Sequence, residues 1–260
     1  MPLPSCFHKA PDNNDKSGSH RFAVVIPVYN HALTVSDVIR KARNHGFPVI
    51  VVDDGSTDAT YENIKMIRDI HVIRHQRNLG KGAALVAGMQ EAARFADWAI
   101  CLDADGQHDP DEMAQLTGAI PPGQRPIIIG KREGMASAPW TSRFGRKFSN
   151  FWVWISSGVL LADSQSGYRL YPLPEVIDLE VRARRYQYEV EVLAKAAWRS
   201  IAIIEVPVGV SYNPAGERVS HFRPWRDFVR NSRTFSRLIV QRLFSPRLWF
   251  PKPGKKGRNS

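Results

Sequence analysis

The ten residues CLDADGQHDP, Cys101 to Pro110, carry three carboxylates, an amide and a histidine directly behind an apolar run. Oxygen donors at this density suit a hard divalent ion such as Mg2+ or Mn2+, which usually shares its site with substrate phosphates. Asp103 and Asp105, at i and i+2 beyond a strand, form a compact ligand set with Gln107 two residues further on. Taken alone, D-x-D is weak evidence, since roughly one match is expected by chance in a chain of this length. A zinc site on His108 with Asp105 competes, but no second histidine stands at the short spacing that helical zinc pairs use. Two further apolar runs end on polar residues, VVIPVYN at Tyr29-Asn30 and VVDDGSTDAT at Asp53-Asp54.

The elements that must position these groups alternate. Phe22 to Tyr29 reads as a buried strand, and LTVSDVIRKARNHG as a helix with apolar Leu33, Val35, Val38, Ile39 and Ala42 that stops at Gly46. FPVIVVDD is a second strand, followed by a helix over Ala59 to Arg68. HVIRH is a short third strand, GKGAALVAGMQEAARF a helix, WAICLD a fourth strand and PIIIGKR (Pro126 to Arg132) a fifth. Alternation of this kind implies an α/β fold with a Rossmann-like, mostly parallel sheet flanked by helices. Ligands of open α/β sheets bind at the carboxyl ends of the strands, so the three acidic or polar loops should meet in one crevice. Asp58 and Asp109 read as helix caps, Asp109 because it precedes Pro110 at a helix start. Gly80-Lys81-Gly82 resembles a phosphate loop without its G-x-x-x-x-G-K-[ST] spacing, and a turn before a helix explains it equally well.

The net charge of +11 is concentrated: Glu217 to Ser260 hold 12 Lys and Arg against 2 Asp and Glu, a balance of +10. The remainder is nearly neutral with an acidic crevice, which argues against nucleic acid as a partner. A nucleotidyltransferase would have a similar sheet and acids, but no basic glycine-rich motif stands near the N-terminus. Two cysteines, Cys6 and Cys101, imply no disulfide framework and a reducing, cytoplasmic setting. The first 20 residues lack the apolar stretch of a signal peptide and read as a flexible tail. No window is long and apolar enough to span a bilayer. Trp140 to Leu161 and the segment 224–250 are instead basic and amphipathic, with Phe228, Phe235, Leu238, Ile239 and Phe244 near one stripe of the latter. Helices of that kind lie in a membrane interface. The expected organisation is a tail (1–20), one catalytic domain (21–223), an interfacial helix region (224–250) and a basic disordered end (251–260).

VVIPVYN, VVDDGSTDAT, NLGKGAAL and LDADGQHDP, in this order, resemble the family 2 glycosyltransferases of GT-A fold, nearest the dolichol-phosphate mannose synthase and polyprenyl-phosphate glycosyltransferase branch. DSQSGYRLYP, YQYEVEVLAKA and IAIIEVPV extend the likeness, which covers roughly residues 20 to 230. The resemblance implies that Pro27, Tyr29, Asn30, Val52 and Asp54 line the nucleotide, with Lys81 beside it. It implies that Asp103, Ala104 and Asp105 hold a Mg2+ or Mn2+ ion and the donor diphosphate, with Gln107 as a further ligand. Arg132 matches an arginine at the donor phosphates, and Arg169 a basic residue near the acceptor phosphate. Arg218 and His221 fall in the donor-binding set. This chain departs from the family pattern at His31, where an acid is common, and at His221, where a lysine is common and a histidine brings only a pH-dependent charge.

The implied reaction is transfer of a sugar from a UDP- or GDP-linked donor with inversion, the metal and Arg132 stabilising the departing diphosphate. A polyprenyl phosphate acceptor is already anionic and needs no strong base. A hydroxyl acceptor on a non-isoprenoid lipid, glycan or pigment head group would need one, and Asp163 is the candidate. Lipid substrates imply a peripheral enzyme at the cytoplasmic face of a membrane, held there by the bilayer or by a membrane-protein partner.

Overall fold

The computed structural model describes residues 20–133, 140–211 and 224–244. Seven strands run as β1 (Phe22–Val28), β2 (Val49–Asp53), β3 (His71–Arg74), β4 (Trp98–Cys101), β5 (Ile127–Arg132), β6 (Arg169–Pro172) and β7 (Ile203–Val208). The helices are α1 (Val35–Arg43), α2 (Thr60–Lys65), α3 (Lys81–Ala92), α4 (Met113–Gly118), α5 (Trp140–Ser157), α6 (Tyr188–Trp198) and α7 (Pro224–Leu243). The strands form one sheet in the order β3-β2-β1-β4-β6-β5-β7. Every pairing is parallel except those of β6, which runs antiparallel to both β4 and β5.

The unbroken apolar runs follow from burial on both faces of the sheet. In β1, Val24 and Ile26 pack with α1 and α4 residues such as Ile39 and Leu116, while Ala23 and Val25 pack with Leu85 and Met89 of α3. The register pairs the ends of β1 and β2, Val28 with Asp53, while β4 ends at Cys101 opposite Val25, so the chain beyond β4 emerges at the same edge of the sheet.

The C-terminal helix packs differently from the amphipathic reading. Phe235 and Leu238 are buried, and Phe235 stacks on Trp152 of α5 at 5.7 Å between ring centroids. The middle of the stripe therefore faces the protein, because α5 and α6 offer it an apolar seat. Two arginines of this basic helix are also engaged by the protein. Arg242 donates to the Ile155 carbonyl at 2.6 Å, and Arg237 pairs with the fully buried Glu191 of α6. Glu191 also accepts from the backbone of Arg182 and Ala183, both at 3.1 Å. What stays outward is a smaller apolar set: Val240, Leu243 and Phe244 at the end of α7, with Phe151, Trp154 and Leu160 on and after α5.

Candidate active site

Three loops meet at the carboxyl edge. After β1, Asn30 adopts a left-handed backbone (φ 55°), its N–H donating to Ser56 Oγ at 3.0 Å and its side-chain oxygen accepting from Thr57 N–H at 2.8 Å. His31 N–H donates to Thr60 Oγ1 at 2.8 Å, so the β1 and β2 loops are one hydrogen-bonded unit. Asp109 accepts from Asp111 N–H at 3.3 Å as the expected helix cap, whereas the N-cap of α2 is Ala59 and Asp58, one residue earlier, accepts from Thr60 N–H at 3.0 Å in the turn ahead of it. Asp54 ties β2 to the start of α3: its carboxylate accepts from Leu79 N–H at 2.9 Å and Gly80 N–H at 2.7 Å, and meets His75 Nδ1 at 2.7 Å.

Beyond β4, Ala104 is fixed by Thr34 Oγ1, which donates to its carbonyl at 2.6 Å. Asp105 accepts from Gln107 N–H at 3.0 Å. Asp103 meets Lys81 Nζ at 2.6 Å, and the same ammonium meets Glu189 Oε1 at 2.6 Å. Gly167, of the SGYR segment, lies against this group so closely that a Cβ there would stand 2.2 Å from Asp103 Oδ2 and 2.8 Å from Lys81 Nζ. Burial works against the Asp103 charge, but Lys81 overrides it and keeps the carboxyl below its usual range. Asp105 has no such cation on it. Burial, and then the Asp103 charge, push its carboxyl up to about 6. Burial also pushes His108 down to about 4, so its ring is neutral near pH 7 and packs on Tyr168 at 5.2 Å. Among the described residues no group of three or more His, Cys, Asp or Glu side chains is arranged to hold a metal ion.

Beside this centre, Arg132 at the end of β5 grips the fully buried Asp163 with two parallel bonds, Nε to Oδ2 at 2.7 Å and Nη2 to Oδ1 at 2.9 Å. Burial disfavours the Asp163 charge, but these bonds win and lower its pKa. Glu205 of β7 accepts from the backbone N–H of Ala162 and Asp163, and Asn150 of α5 brackets the same segment through Ala162 O and Ser164 N.

An open α/β edge carrying paired carboxylates over a buried lysine is compatible with several nucleotide-using chemistries, and comparison with known proteins separates them. Residues 23–166 match the family model described as glycosyl transferase family 2. The chain belongs to glycosyl transferase family 2. It is 30% identical over 213 residues, 73% of this chain and 85% of the relative, to UDP-N-acetylglucosamine--dolichyl-phosphate N-acetylglucosaminyltransferase of Methanococcus voltae. It is 29% identical over 206 residues to the polyprenol monophosphomannose synthase of Mycolicibacterium smegmatis, covering 73% of this chain and 77% of that one. A crystal structure of GalNAc-T7 with UDP, GalNAc and Mn2+ shares the fold, with a TM-score of 0.53 and 16% identity over 87% of this chain and 48% of that chain. The chain is thus a nucleotide-sugar glycosyltransferase of GT-A architecture.

Within this glycosyltransferase the site residues sort by position. Tyr29, Asn30, Asp103, Ala104, Asp105, Gln107, Lys81 and the Arg132–Asp163 pair all gather at the carboxyl edge. Several expected roles are corrected. Val52 is fully buried and packs toward α3, and Pro27 is buried opposite it, so neither side chain faces a ligand. Asp54 spends its carboxylate on the loop before α3. Lys81 is engaged by Asp103 and Glu189, each at 2.6 Å. Asp163 is paired with Arg132 through two bonds that lower its pKa. Arg169 is 1% exposed, and its guanidinium donates to the carbonyls of Ser166, Ser164 and Glu189 and to the Tyr171 hydroxyl. It cannot meet an acceptor phosphate, because strand alternation turns it inward with Tyr171. Arg218 and His221 lie outside the described residues. Glu189 and Gly167 were missed; two acids in the first turn of an otherwise apolar helix, YEVE, were the available signal for the former.

Proposed function

We propose that this glycosyltransferase moves a sugar from a UDP- or GDP-linked donor to a polyprenyl phosphate, inverting the anomeric centre, at the cytoplasmic face of a membrane to which it binds peripherally. The observation that carries the acceptor is the Arg132–Asp163 pair. A hydroxyl acceptor needs a base, and the carboxylate best placed to serve is neutralised by a two-bond arginine clamp. An acceptor phosphate is already anionic and needs none. The relatives named for dolichyl phosphate and polyprenol support the same choice.

The residues at the centre fit a divalent cation. Asp105 is held at about 6 by burial and by the neighbouring Asp103, a repulsion that bound positive charge would relieve. Asp103, Asp105 and Gln107 would hold the ion, all through the oxygen donors that Mg2+ and Mn2+ prefer. When bound, it would supply positive charge against the departing nucleoside diphosphate. The chain's own part is positioning. Lys81 fixes Asp103, Thr34 fixes the Ala104 turn, and Arg132 adds a charge that Asp163 keeps in place at the end of β5. No helix among the described residues is long and apolar enough to cross a membrane. The outward set of Phe151, Trp154, Leu160, Leu243 and Phe244 is the surface proposed to meet the bilayer, with a membrane-protein partner as an additional anchor.

The test is donor turnover by the purified protein with UDP- and GDP-sugars, Mn2+ or Mg2+, and a short polyprenyl phosphate, beside Asp105→Ala. Metal-dependent sugar-lipid that disappears in the variant is the expected result. Donor hydrolysis without transfer to polyprenyl phosphate would overturn the acceptor and leave the glycosyltransferase.

A further inference from the structure

We propose that Lys81 and Glu189 form a charge pair whose function is to set how strongly the Asp103–Asp105 centre holds its divalent cation. This rests on the reading that the centre holds one. Lys81 is the first residue of α3 and Glu189 the second of α6, and the two helix starts lie side by side: Ala83 N–H donates to Arg184 O at 2.9 Å. Between them the Lys81 ammonium meets Asp103 and Glu189 at an equal 2.6 Å. Gly167 closes the third side, where a Cβ would stand 2.2 Å from Asp103 Oδ2. Lysine and glutamate at such an edge could be ordinary helix-end charges. Here both are largely buried, and Glu189 contacts the same ammonium that Asp103 does.

The arrangement has an arithmetic that a merely structural contact lacks. Asp103, Asp105, Lys81 and Glu189 together carry a net charge of −2. Neutralising Glu189 leaves −1 facing the cation, and neutralising Lys81 leaves −3. The two changes therefore move cation affinity in opposite directions, and making both restores the original charge. Lys81 has a second effect, because Asp103 loses its anchor when the ammonium is removed. Tighter cation binding in that variant should accompany slower turnover. Glu189 is thus a positioning residue that acts through Lys81 and touches no reactant.

The experiment is Mn2+ binding to the full chain at pH 8, followed by the electron paramagnetic resonance of the free ion, with thermal unfolding of each variant as a check on folding. Glu189→Gln is expected to weaken binding and Lys81→Met to tighten it, each by about tenfold, the scale of one charge acting through a partly screened interior. Lys81→Met/Glu189→Gln is expected to return to within about threefold of the unaltered protein. Lys81→Met should also lower kcat with the KM for donor little changed. Weakening by both single substitutions, with more in the double, would overturn the inference and leave the trio as scaffold. An unaltered protein that binds no Mn2+ would overturn the cation reading itself, a result that no pattern among the variants resembles.

Discussion

Replacing Asp163 by Asn removes one negative charge and little volume from a fully buried position. The side chain loses its charge toward Arg132, whose own side chain is only 15% exposed, and sets an amide N–H2 against a guanidinium N–H2. Breaking one partner of a buried pair costs about 3–5 kcal/mol, mostly because the other charge is left without compensation. For 260 residues the unfolding entropy is about 0.55 kcal/mol/K near the midpoint, so Tm should fall by about 5–9 °C. The pH dependence has a definite sign. The folded Asp163 pKa lies below its ordinary 3.8, so its stabilisation is complete above about pH 4 and lost as pH falls further. The Tm gap between the two proteins should therefore be constant from pH 5 to 8 and narrow below pH 4. Scanning calorimetry across that range measures it, with turnover at a temperature where both are folded. An unchanged Tm with abolished turnover would refute the reasoning, since Asp163 would then be a working base and the clamp energetically idle.

Gly167→Ala would drive a methyl into the Asp103 carboxylate and the Lys81 ammonium, so Mn2+ binding and turnover should both fall at least tenfold, measurable by titration and rate. Mn2+ affinity should be flat above pH 7 and drop by up to tenfold per pH unit below about 6, as a proton competes for Asp105; a titration series at fixed ionic strength checks this. Arg169→Lys should lower Tm about as much as Arg169→Ala, because one ammonium cannot reproduce four directed bonds. Arg237 and Arg242 are spent on Glu191 and on Ile155 O, so adsorption to vesicles should persist in part at 0.5 M salt and weaken in Trp154→Ala/Phe244→Ser. Co-sedimentation with neutral and anionic vesicles reads it.

The strand-end residues were legible because a buried parallel strand announces itself as an apolar run, and the first polar residue after it lies at the carboxyl edge whatever else is true of the fold. Strands β1, β2 and β4 and the D-x-D turn all came from that rule, and the Asp109 cap from the proline that follows it. Arg169 was not legible. RLYP is short, and it enters the sheet antiparallel between β4 and β5, so the parity that turns Arg169 toward α6 depends on a strand pairing that local pattern does not encode. The pairing of Lys81 with Glu189 was hidden for a similar reason: the two stand 108 residues apart. The α7 stripe was visible, but periodicity alone cannot say whether an apolar face meets lipid or the protein's own α5.

The burial of Glu191 makes the C-terminal helix part of the catalytic body. Its carboxylate joins Arg237 to the 182–184 segment, and that segment in turn closes over Gly80, where a Cβ would stand 2.5 Å from the Arg184 carbonyl. A chain shortened ahead of α7 would remove one of the two cations on Glu191, leaving Lys195 Nζ at 3.3 Å and the two backbone donors to hold it beside the loop that seats Lys81. Exchange of this helix between related enzymes would therefore preserve the second charge on Glu191 only if an arginine arrives at the position of Arg237.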